Sequence, residues 1–549
     1  MQTKYIFVTG GVLSGLGKGV TAASIGNILR AHHFKVWMQK FDQYLNVDAG
    51  TLNPNEHGEV FVLDDGAETD LDLGHYERFI DTNLNRTSSV MSGQIYQAIL
   101  EKERAGKFLG KTIQMIPHVT DEVISRLQKA AKESDCDILI TEIGGTIGDF
   151  EGMHFVEAIR QMQYKVGKEN VLYVHVGFFP YLGASQELKT KPLQNSVHDL
   201  QALGIQPDVI IARSDYPVEK KLVEKVALFT GVDIDAVIPL ETVDSIYKVP
   251  QILKKHHLDR IIGRKFKIDL ENGANKEWQK FITKLDAPKK NKIKIALIAK
   301  YMGLRDTYFS VTESLKIAGI WSDADLEIGW VDAEEIEQGS VKNILKGYDA
   351  ILVPGGFGSR GVEGKIAAIK YARENKIPFL GLCYGLQLAT IEYARHIAGL
   401  ENANTTEIDE NTPDPVIHIM PEQEKLLEGK NYGGTMRLGA YECKLVKGTT
   451  SEKAYKELSA ISYPQAEKAE SLIISERHRH RYEFNNEYRQ LLEEKGLVIA
   501  GTSPNGTLVE IVELQNHPFF VATQFHPEFK SRPTSPHPLF MEFIKAAKK

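Results

Sequence analysis

The sequence predicts an α/β protein in which helices cover parallel sheets, divided between two domains. Short apolar segments recur along the chain, and several are followed directly by glycines and then by helical periodicity. That order is typical of strand–turn–helix units. The chain has 549 residues, and at about 100–200 residues per domain it is too long for a single core. A polar, charged break at about residues 286–292 separates two such series and predicts the domain boundary.

The composition is that of a well-packed protein without a nucleic-acid or membrane partner. Apolar residues make up 42% and charged residues 25% of the chain, which excludes a disordered or collagen-like protein. The formal charge of −7 leaves no basic surplus for nucleic acid or an anionic membrane. No apolar run approaches the ~20 residues of a membrane span, and the first residues read as a strand rather than a secretory leader. Three cysteines cannot form a disulfide framework, so we expect a cytoplasmic protein.

Apolar segments along the chain are predicted to be buried parallel strands. Two later segments, residues 508–513 and 519–525, look antiparallel and are expected to close a sheet edge. Residues 402–415, rich in Asn, Thr, Asp and Glu, are expected to form a surface loop. The predicted buried strands are residues 5–9, 138–142, 171–176, 209–212, 293–299, 350–353 and 379–382.

The first strand leads into a glycine-rich turn, residues 10–19, and then into a helix from about Val20. Glycines let successive backbone N–H groups face a phosphate, and the helix N-terminus adds partial positive charge. Lys18 would then reach the phosphates as a point charge. The strict Walker A pattern is not met, because Val12 replaces its first glycine and Gly19 its Ser/Thr. A purely structural turn is the alternative, but the Gly-Lys pair at the helix mouth favours phosphate binding.

Magnesium at this turn would need carboxylates from elsewhere, since no Ser/Thr follows the lysine. Asp70 and Asp72 lie in an acidic run that, taken alone, is better interpreted as a solvated loop. Glu142 ends a predicted buried strand, where ligands bind in open α/β sheets, and is the better candidate. Lys189 and Lys191 flank Thr190 and either clamp a polyphosphate or form an ordinary surface pair.

The last predicted parallel strand runs into Cys383, which stands between Gly381 and Gly385 at a strand-to-helix turn. Such an elbow exposes the sulfur, and the helix N-terminus favours the thiolate. On an extended segment His526 and Glu528 point to the same side, so the carboxylate would hold the imidazole tautomer. An inert buried cysteine is the alternative for Cys383.

A glycine loop at residues 354–361 supplies N–H groups for an oxyanion hole. Together with the elbow and the His-x-Glu pair, it favours a cysteine nucleophile. Cys136 and Cys443 are expected to be structural. The basic segment at residues 476–483 is interpreted as a solvated helix end or as the source of an arginine that pairs with a substrate carboxylate.

These motifs resemble the CTP synthase family of glutamine-dependent amidotransferases over essentially the whole chain. The resemblance is carried by residues 10–19, 57–61, 65–79, 189–192, 381–387 and 525–529. The cysteine motif alone is shared by many amidotransferases, but joined to the Gly74-His75-Tyr76 block it is specific. The resemblance implies a P-loop-like parallel-sheet synthetase domain at residues 1–267, a linker at 268–292 and a class I glutaminase α/β domain at 293–549.

The same resemblance implies an activity. ATP would phosphorylate O4 of UTP in the first domain, while glutamine is hydrolysed through a Cys383 thioester in the second. Ammonia would then pass between the sites and displace phosphate from C4, giving CTP. The family also implies Mg²⁺ as cofactor, GTP as allosteric activator, CTP as feedback inhibitor and a homotetramer. Residues 301–308 match a mobile lid over the glutaminase site, where GTP contact is a hypothesis.

Site residues are implied by the family motifs, position by position. The implied triad is Cys383, His526 and Glu528, and the implied magnesium ligands are Asp72 and Glu142. The implied ATP contacts are Gly15, Leu16, Gly17, Lys18, Gly19, Val20, Asp72 and Val243. The implied UTP and CTP contacts are Ser14, Asp149, Phe150, Glu151, Lys189, Thr190, Lys191, Pro192, Leu193, Gln194 and Lys225. The implied glutamine contacts are Gly356, Tyr384, Gly385, Leu386, Gln387, Glu407 and Arg481.

Two rival interpretations remain at this point. One is another glutamine-dependent synthetase that amidates a carboxylate, and the block at residues 65–79 argues against it. The other is a non-catalytic nucleotide-binding assembly protein, which the intact Cys383, His526, Glu528 and Lys18 argue against.

Overall fold

The computed structural model describes residues 2–13, 15–270, 273–420, 436–462 and 472–548. Its contacts divide the chain into two compact units. The amino-terminal unit comprises Met1–Asp48 and Asp72–Ile282, and the carboxy-terminal unit comprises Ala49–Leu71 and Thr283–Lys549. Residues 49–71 therefore belong to the carboxy-terminal unit although they lie early in the sequence. The predicted division into three contiguous stretches does not include this exchange.

Strands and helices alternate along most of the described chain. The strands are β1 Lys4–Gly10, β2 Val36–Asp42, β3 Phe61–Val62, β4 Glu68–Thr69, β5 Ser89–Met91, β6 Ile138–Ile143, β7 Val171–Phe178, β8 Tyr181–Leu182, β9 Glu187–Leu188, β10 Val209–Ser214, β11 Val237–Glu241, β12 Asn291–Ala299, β13 Ala324–Asp332, β14 Ala350–Val353, β15 Phe379–Leu382, β16 Ala403–Thr405, β17 Asp414–Ile419, β18 Arg437–Leu445, β19 Ile473–His480, β20 Tyr482–Phe484, β21 Val498–Thr502, β22 Val509–Glu513 and β23 Phe520–Thr523. The helices are α1 Lys18–Ala31, α2 Pro54–His57, α3 Asp72–Ile80, α4 Ser92–Arg104, α5 Thr120–Ser134, α6 Met153–Val166, α7 Lys191–Ala202, α8 Lys220–Thr230, α9 Val249–Lys255, α10 Leu258–Phe266, α11 Lys276–Asp286, α12 Phe309–Trp321, α13 Ala333–Gln338, α14 Val341–Leu345, α15 Val362–Glu374, α16 Tyr384–His396, α17 Thr450–Ser462, α18 Arg489–Glu494 and α19 Pro538–Ala547.

The amino-terminal unit is built on a parallel sheet with strand order β11-β10-β7-β1-β6-β2-β5. Its central strand β1 pairs in parallel with β6 on one side and β7 on the other. Tyr5 to Gly10 are buried, because helices cover both faces and apolar side chains are needed on each. The carboxyl ends of β1 and β6 are neighbours, so the turns that follow them meet at one edge of the sheet.

The carboxy-terminal unit has a mixed sheet with strand order β13-β12-β14-β15-β23-β22-β21-β18-β19. Alternate residues of β12 enter different cores: Ala296 and Ile298 pack in one cluster, and Ile295 and Leu297 in the other. Two apolar layers therefore sandwich the sheet, as the period of two along a strand requires. The parallel strands predicted in both halves of the sequence are confirmed, and so is the α/β class.

Three expectations about the carboxy-terminal half are wrong. The strands near residues 508–525 are β22 and β23, which pair antiparallel but lie inside the sheet rather than at its edge. The expected surface loop at residues 402–415 contains β16 and the start of β17. The expected helix end at residues 476–483 is mostly the strand β19, in which Arg477, His478 and His480 are buried. Within the described part of the chain, every helix is too short or too polar to cross a bilayer.

Candidate active sites

The glycine-rich turn has the backbone geometry of an anion-binding loop. β1 ends at Gly10 and α1 begins at Lys18, with left-handed φ values of 82°, 74° and 83° at Val12, Gly15 and Gly17. Such values are inexpensive for glycine but costly for valine. They turn backbone N–H groups toward the inside of the loop, in front of the N-terminus of α1. Ser14, an expected UTP contact, lies outside the described residues.

Lys18 connects this turn to the end of the neighbouring strand. Its side chain is buried, and Nζ donates to the Gly145 carbonyl oxygen at 2.7 Å. Ile147 N donates to Gly10 O at 2.8 Å, which ties the segment after β6 to the turn. Lys18 and Glu142 thus lie at the same sheet edge, as the sequence predicted.

Two carboxylates converge on Gly19 at the start of α1. A Cβ placed on Gly19 would stand 2.6 Å from Asp72 Oδ1 and 3.2 Å from Glu142 Oε2. Burial raises the pKa of Glu142, and the negative charge of Asp72 raises it further. Burial acts in the same direction on Asp72, but Lys40, His75 and Lys18 outweigh it and keep the pKa of Asp72 below its usual value.

Asp72 and Glu142 together suit a divalent cation whose remaining ligands come from the phosphates of a bound nucleotide. Lys40 forms ion pairs with Asp72 and, at 3.2 Å, with Asp42, while the Tyr76 hydroxyl donates to Glu142. A buried Glu142 beside a partly buried Asp72 brings two negative charges together, and a bound metal ion would relieve their repulsion. Among the described residues no group of three or more His, Cys, Asp or Glu side chains is placed to hold a metal by itself. Magnesium commonly completes its coordination with substrate phosphates and water.

Helix α7 packs directly against the glycine-rich turn. A Cβ on Gly11 would lie 1.7 Å from Ser196 Oγ of α7. Ser196 Oγ is also 2.7 Å from His175 Nε2, and His175 Nδ1 is 3.0 Å from Thr9 Oγ1. Burial, with Lys18 nearby, lowers the pKa of His175 to about 3, so the imidazole is neutral. Sequence reasoning missed this support, because His175 stands in a strand that reads as uniformly apolar.

The N-terminus of α7 carries several of the expected UTP contacts. Thr190 is buried, and Gln194 donates to it twice, from N to the carbonyl at 3.0 Å and from Nε2 to Oγ1 at 3.2 Å. Lys189 pairs with Glu187 of the preceding strand. Lys191 and Pro192 form the first turn of the helix, and Leu193 is buried beneath them. Lys225 lies on the separate helix α8 and is exposed.

The remaining expected nucleotide contacts lie on two other segments. Asp149 Oδ2 accepts from Thr146 N at 2.7 Å, in the segment that follows β6. Next to it Phe150 is 89% exposed, and Glu151 continues the same turn. On the other side, Arg213 donates to Leu16 O at 3.2 Å and to Leu240 O at 3.0 Å. Arg213 thereby ties the glycine-rich turn to Leu240 near the end of β11, three positions before Val243.

Cys383 occupies a strained elbow between β15 and α16. Its φ and ψ are 51° and −99°, a conformation that non-glycine residues adopt only when the surroundings enforce it. Glycine is required on the helix side, because a Cβ on Gly385 would lie 2.4 Å from Val353 O. Cys383 N donates to Thr523 O at 2.7 Å, which fixes the elbow to β23. The predicted nucleophile elbow is thus present in its geometry.

His526 and Glu528 stand beside this cysteine. His526 Nδ1 is 2.7 Å from Glu528 Oε1. Burial lowers the pKa of His526, but the Glu528 carboxylate and the Cys383 sulfur outweigh it and raise that pKa to about 10. The expected extended segment is wrong, since Pro527–Lys530 forms a 3-10 turn. The turn still brings the two side chains together, and it stacks the His526 ring on Phe529 at 5.0 Å.

The glycine loop after β14 approaches the same centre. A Cβ on Gly355 would lie 2.9 Å from His526 Cε1 and 3.7 Å from Cys383 Cβ. Further along, Gly358 N donates to Glu407 Oε1 at 2.6 Å, and the Tyr384 hydroxyl donates to Gly358 O at 2.9 Å. Burial raises the pKa of Glu407.

Gln387 contributes a buried acceptor to this centre. Its Oε1 has no hydrogen-bond partner among the described residues. Leu386, its neighbour on α16, is fully buried in the core.

A cavity of about 310 Å³ opens at Cys383. Its wall includes Arg481, which follows β19, and Tyr301 and Tyr308, at the two ends of residues 301–308. A further part of the wall comes from the segment 49–71, through Gly50, Leu52, Pro54, Glu59 and Val60. The volume is at the lower end of the range for small-molecule sites.

Segment 49–71 is held to the carboxy-terminal unit by ion pairs and an aromatic contact. Arg477 Nε lies 2.6 Å from Asp64 Oδ1, and Arg479 Nε lies 2.8 Å from Glu68 Oε1. The rings of Phe61 and Phe529 are 5.0 Å apart. The acidic run was therefore wrongly interpreted as a solvated loop, since Glu68 is only 5% exposed. Its partners lie some 400 positions away, where no local sequence signal reaches.

The other two cysteines are buried away from these groups. Burial raises the pKa of both the Cys136 and the Cys443 thiol. Neither is therefore a reactive thiolate, and both pack as small apolar side chains.

Comparison with known proteins gives matches for both parts of the sequence. The family described as CTP synthase N-terminus matches residues 4–268, and the family described as glutamine amidotransferase class-I matches residues 304–546. The CTP synthase of Caldanaerobacter subterraneus subsp. tengcongensis is 54% identical over 545 residues, covering 99% of this chain and 98% of that protein. The CTP synthase of Bacillus subtilis is 52% identical over 546 residues, covering 100% and 99%. Among solved structures, the Trypanosoma brucei CTPS glutaminase domain with bound acivicin is 38% identical, covers 46% of this chain and 93% of its own, and has a TM-score of 0.41.

Proposed function

Because the chain belongs to the CTP synthase family, we propose that its two units carry the two halves of one reaction. The protein is a glutamine-hydrolysing ligase that aminates UTP to CTP with ATP. We assign ATP and UTP to the amino-terminal unit and glutamine to the carboxy-terminal unit. The observation that carries this assignment is the hydrogen-bonded His526–Glu528 pair beside the strained Cys383. Our domain boundaries are residues 1–267, 268–292 and 293–549.

In the carboxy-terminal unit, Cys383 attacks the carboxamide carbon of glutamine. The His526 imidazolium gives its proton to the leaving ammonia, and it later removes a proton from the water that cleaves the thioester. Glu528 holds the imidazole in the required tautomer and stabilises its charge. We assign the oxyanion to the N–H groups of the Gly355–Gly356 loop, and the approach of that loop to both Cys383 and His526 supports this assignment.

Glutamine itself is recognised by polar groups around the elbow. The buried acceptor Gln387 Oε1, the Glu407 carboxylate and the Arg481 guanidinium suit the amide, amine and carboxylate of an amino acid. The proposed contacts are Gly356, Tyr384, Gly385, Leu386, Gln387, Glu407 and Arg481.

In the amino-terminal unit, the glycine-rich turn cradles the phosphates of ATP and Lys18 reaches the phosphate that is transferred to O4 of UTP. Ammonia then attacks C4, and inorganic phosphate leaves. Asp72 and Glu142 are the residues that would hold Mg²⁺, which supplies charge neutralisation on the phosphates when bound. Both carboxylates approach Gly19 at the mouth of α1, which supports that assignment.

The nucleotide contacts follow from the segments that meet at this sheet edge. For ATP we propose Gly15, Leu16, Gly17, Lys18, Gly19, Val20, Asp72 and Val243. For UTP, and for CTP at an overlapping site, we propose Ser14, Asp149, Phe150, Glu151, Lys189, Thr190, Lys191, Pro192, Leu193, Gln194 and Lys225. The contacts of α7 and of the segment after β6 with the glycine-rich turn support both sets.

Regulation and assembly complete the proposal. We propose GTP as an activator of glutamine hydrolysis, CTP as a feedback inhibitor, a cytoplasmic location and a homotetramer. An exposed apolar surface on the amino-terminal unit supports the assembly: Leu45, Leu100 and Phe150 are 73%, 63% and 89% exposed. Side chains exposed to this degree over a contiguous area mark an association surface.

The test is the absorbance change that accompanies conversion of UTP to CTP, with ATP, magnesium and either glutamine or ammonium. We expect CTP from both nitrogen donors, and phosphate release from ATP only when UTP is present. Phosphate release without UTP would instead indicate a synthetase that amidates a carboxylate. Lys18→Ala is the control, because loss of phosphorylation removes both routes. Ammonia-dependent synthesis near the wild-type rate in that variant would contradict the assigned role of Lys18.

A further inference from the structure

Among the described residues the Cys383 sulfur has two hydrogen-bonding neighbours besides His526, and they favour opposite protonation states of the sulfur. Gln524 Nε2 donates to Sγ at 3.7 Å. The Arg479 carbonyl oxygen, also at 3.7 Å, can only accept from the sulfur. A thiol has a proton to donate to that carbonyl, whereas a thiolate only accepts. The carbonyl therefore stabilises the thiol, and the Gln524 amide stabilises the thiolate.

The orientation of the Gln524 amide is fixed by its own partners. Gln524 is fully buried, and its Oε1 accepts from Gln387 Nε2 at 3.5 Å. The same Gln387 nitrogen donates to Tyr482 O at 2.9 Å. Turning the Gln387 amide over would place its oxygen against the Tyr482 carbonyl oxygen, and both of these atoms are acceptors. The Gln387 NH₂ group must therefore face Tyr482 O, and the Gln524 atom next to that NH₂ group must be the acceptor Oε1. The Gln524 NH₂ group is consequently directed at the sulfur.

Two buried histidines of β19 hold the other end of this chain of hydrogen bonds. His480 Nδ1 is 2.9 Å from Tyr482 O, and His478 Nδ1 is 3.1 Å from His480 Nε2. Burial, and then the charge of Arg437, keep the pKa of both histidines well below the usual value, so both rings are neutral. Since a carbonyl only accepts, His480 carries its proton on Nδ1 and accepts from His478 through Nε2. The donors thus converge on the Tyr482 carbonyl oxygen and fix it in place.

We propose that Gln524 belongs to the glutaminase reaction centre, where its side-chain N–H stabilises the Cys383 thiolate. Gln387, the Tyr482 carbonyl and the His478–His480 pair are positioning groups that set its direction. This inference rests on the proposed function, in which Cys383 is the nucleophile. His526 moves the proton during the reaction, whereas Gln524 keeps its protons and stabilises the negative sulfur before attack and after thioester cleavage.

The experiment is the pH dependence of Cys383 alkylation by iodoacetamide in the full-length protein. The modified Cys383 peptide is quantified by mass spectrometry, so that Cys136 and Cys443 do not contribute. A hydrogen bond to a charged group makes a difference of about tenfold or more. For Gln524→Leu we therefore expect about a tenfold slower alkylation near neutral pH and a profile displaced to higher pH. The near-isosteric Gln524→Glu should be displaced further, because it replaces the donor with a carboxylate.

The matched control is Thr523→Val, at the last residue of β23 and next to Gln524 in the sequence. Thr523 is buried, and its hydroxyl donates to Phe525 O at 2.9 Å rather than to the sulfur. This variant should keep the wild-type pH profile of alkylation. It removes a buried hydrogen bond one residue away that does not involve the sulfur, so it reports any effect of local destabilisation alone.

Two results would overturn the inference. One is an alkylation profile of Gln524→Glu that coincides with the wild type. The other is a loss of rate that is equal at every pH, which a merely structural role would produce. Failure of the proposed function gives a different result: Cys383→Ala would then retain glutamine-dependent CTP formation. If CTP formation from glutamine depends on Cys383 but the alkylation profiles of the Gln524 variants match the wild type, only this inference is contradicted.

Discussion

Cys383 is held in a backbone conformation that a non-glycine residue adopts at a cost of about 1–3 kcal/mol. This backbone conformation places the sulfur at the N-terminus of α16 and beside His526. Alanine keeps the Cβ and the elbow, so Cys383→Ala removes the sulfur with little change in packing. We expect it to reduce glutamine-dependent CTP formation by about a thousandfold or more, as for other lost nucleophiles, and to leave synthesis from free ammonia intact. The CTP absorbance assay with each donor measures both; failure of ammonia to support the variant would contradict two separate sites.

Lys365 is a buried charge that the proposed reaction does not use. It is fully buried on α15, 5.5 Å from the Tyr384 ring, and its Nζ has no hydrogen-bond partner among the described residues. Burial, with Lys300 and Arg360 nearby, lowers the pKa of Lys365 to about 7. An unfolded lysine keeps a pKa near 10.4, so between about pH 7 and 10.4 the unfolded chain binds one more proton. The stability of the wild type therefore rises with pH across that window.

Lys365→Met removes this titration while keeping a side chain of similar length. We expect it to raise the unfolding temperature most at about pH 6.5, where the full penalty, on the order of 5 kcal/mol, applies to the wild type. The gain should shrink as the pH approaches about 10. Thermal unfolding followed by circular dichroism at both ends of the window measures it. Lys342→Met, at an exposed position of α14, should change neither value, and an equal gain for Lys365→Met at both pH values would refute the prediction.

At the scale of elements, the close contact between the glycine-rich turn and α7 constrains the shape of that turn. Gly11 has no room for a side chain, since its Cβ would lie 1.7 Å from Ser196 Oγ and 2.8 Å from Ser196 Cβ. Gly11→Ala must therefore push α7 away from the turn, at a cost typical of overpacking, about 1–3 kcal/mol. We expect about a tenfold or greater loss of CTP formation with either nitrogen donor, together with a higher KM for ATP.

The double variant Gly11→Ala/Ser196→Gly separates this steric effect from any other. It removes both Ser196 atoms that the new methyl group would meet, so part of the lost rate should return. Ser196→Gly alone provides the reference for the lost contact with His175. A double variant no more active than Gly11→Ala would show that the turn, and not its packing on α7, is damaged.

The strands and turns that the sequence predicted are those whose signal is local. β1, β6 and β15 are apolar runs followed by glycine-rich or glycine-flanked turns, and the chemistry of each turn is written in adjacent residues. β19 escaped prediction because its buried positions include Arg477 and His478, which look solvated in sequence. The free-energy cost of burying them is offset by partners such as Asp64, which pairs with Arg477, because a buried charge requires such pairing.

At the scale of the whole molecule, the chain does not divide at a single point. Segment 49–71 leaves the amino-terminal unit after β2 and supplies part of the wall of the cavity at Cys383. No periodicity or composition in this segment indicates where it packs, because its contacts, which include ion pairs with β19, an aromatic contact with Phe529 and hydrogen bonds to residues 306–310, are with distant parts of the sequence. The glutaminase motifs were therefore predictable residue by residue, whereas the shape of their cavity was not.

The exposed apolar surface of the amino-terminal unit is the feature that most directly predicts assembly. Leu45 and Tyr96 line two adjoining hollows of about 510 and 930 Å³, and Leu100 of α4 borders the second of them. Leu100 is 63% exposed, and a charge there would have to be desolvated on association, at a cost of several kcal/mol. Leu100→Glu should therefore convert the proposed tetramer into smaller species at the same concentration, as measured by light scattering after gel filtration with and without ATP and UTP. Val446→Glu, at an exposed valine of the carboxy-terminal unit, should remain tetrameric. A Leu100→Glu protein with the wild-type mass would show that this surface is not the tetramer interface.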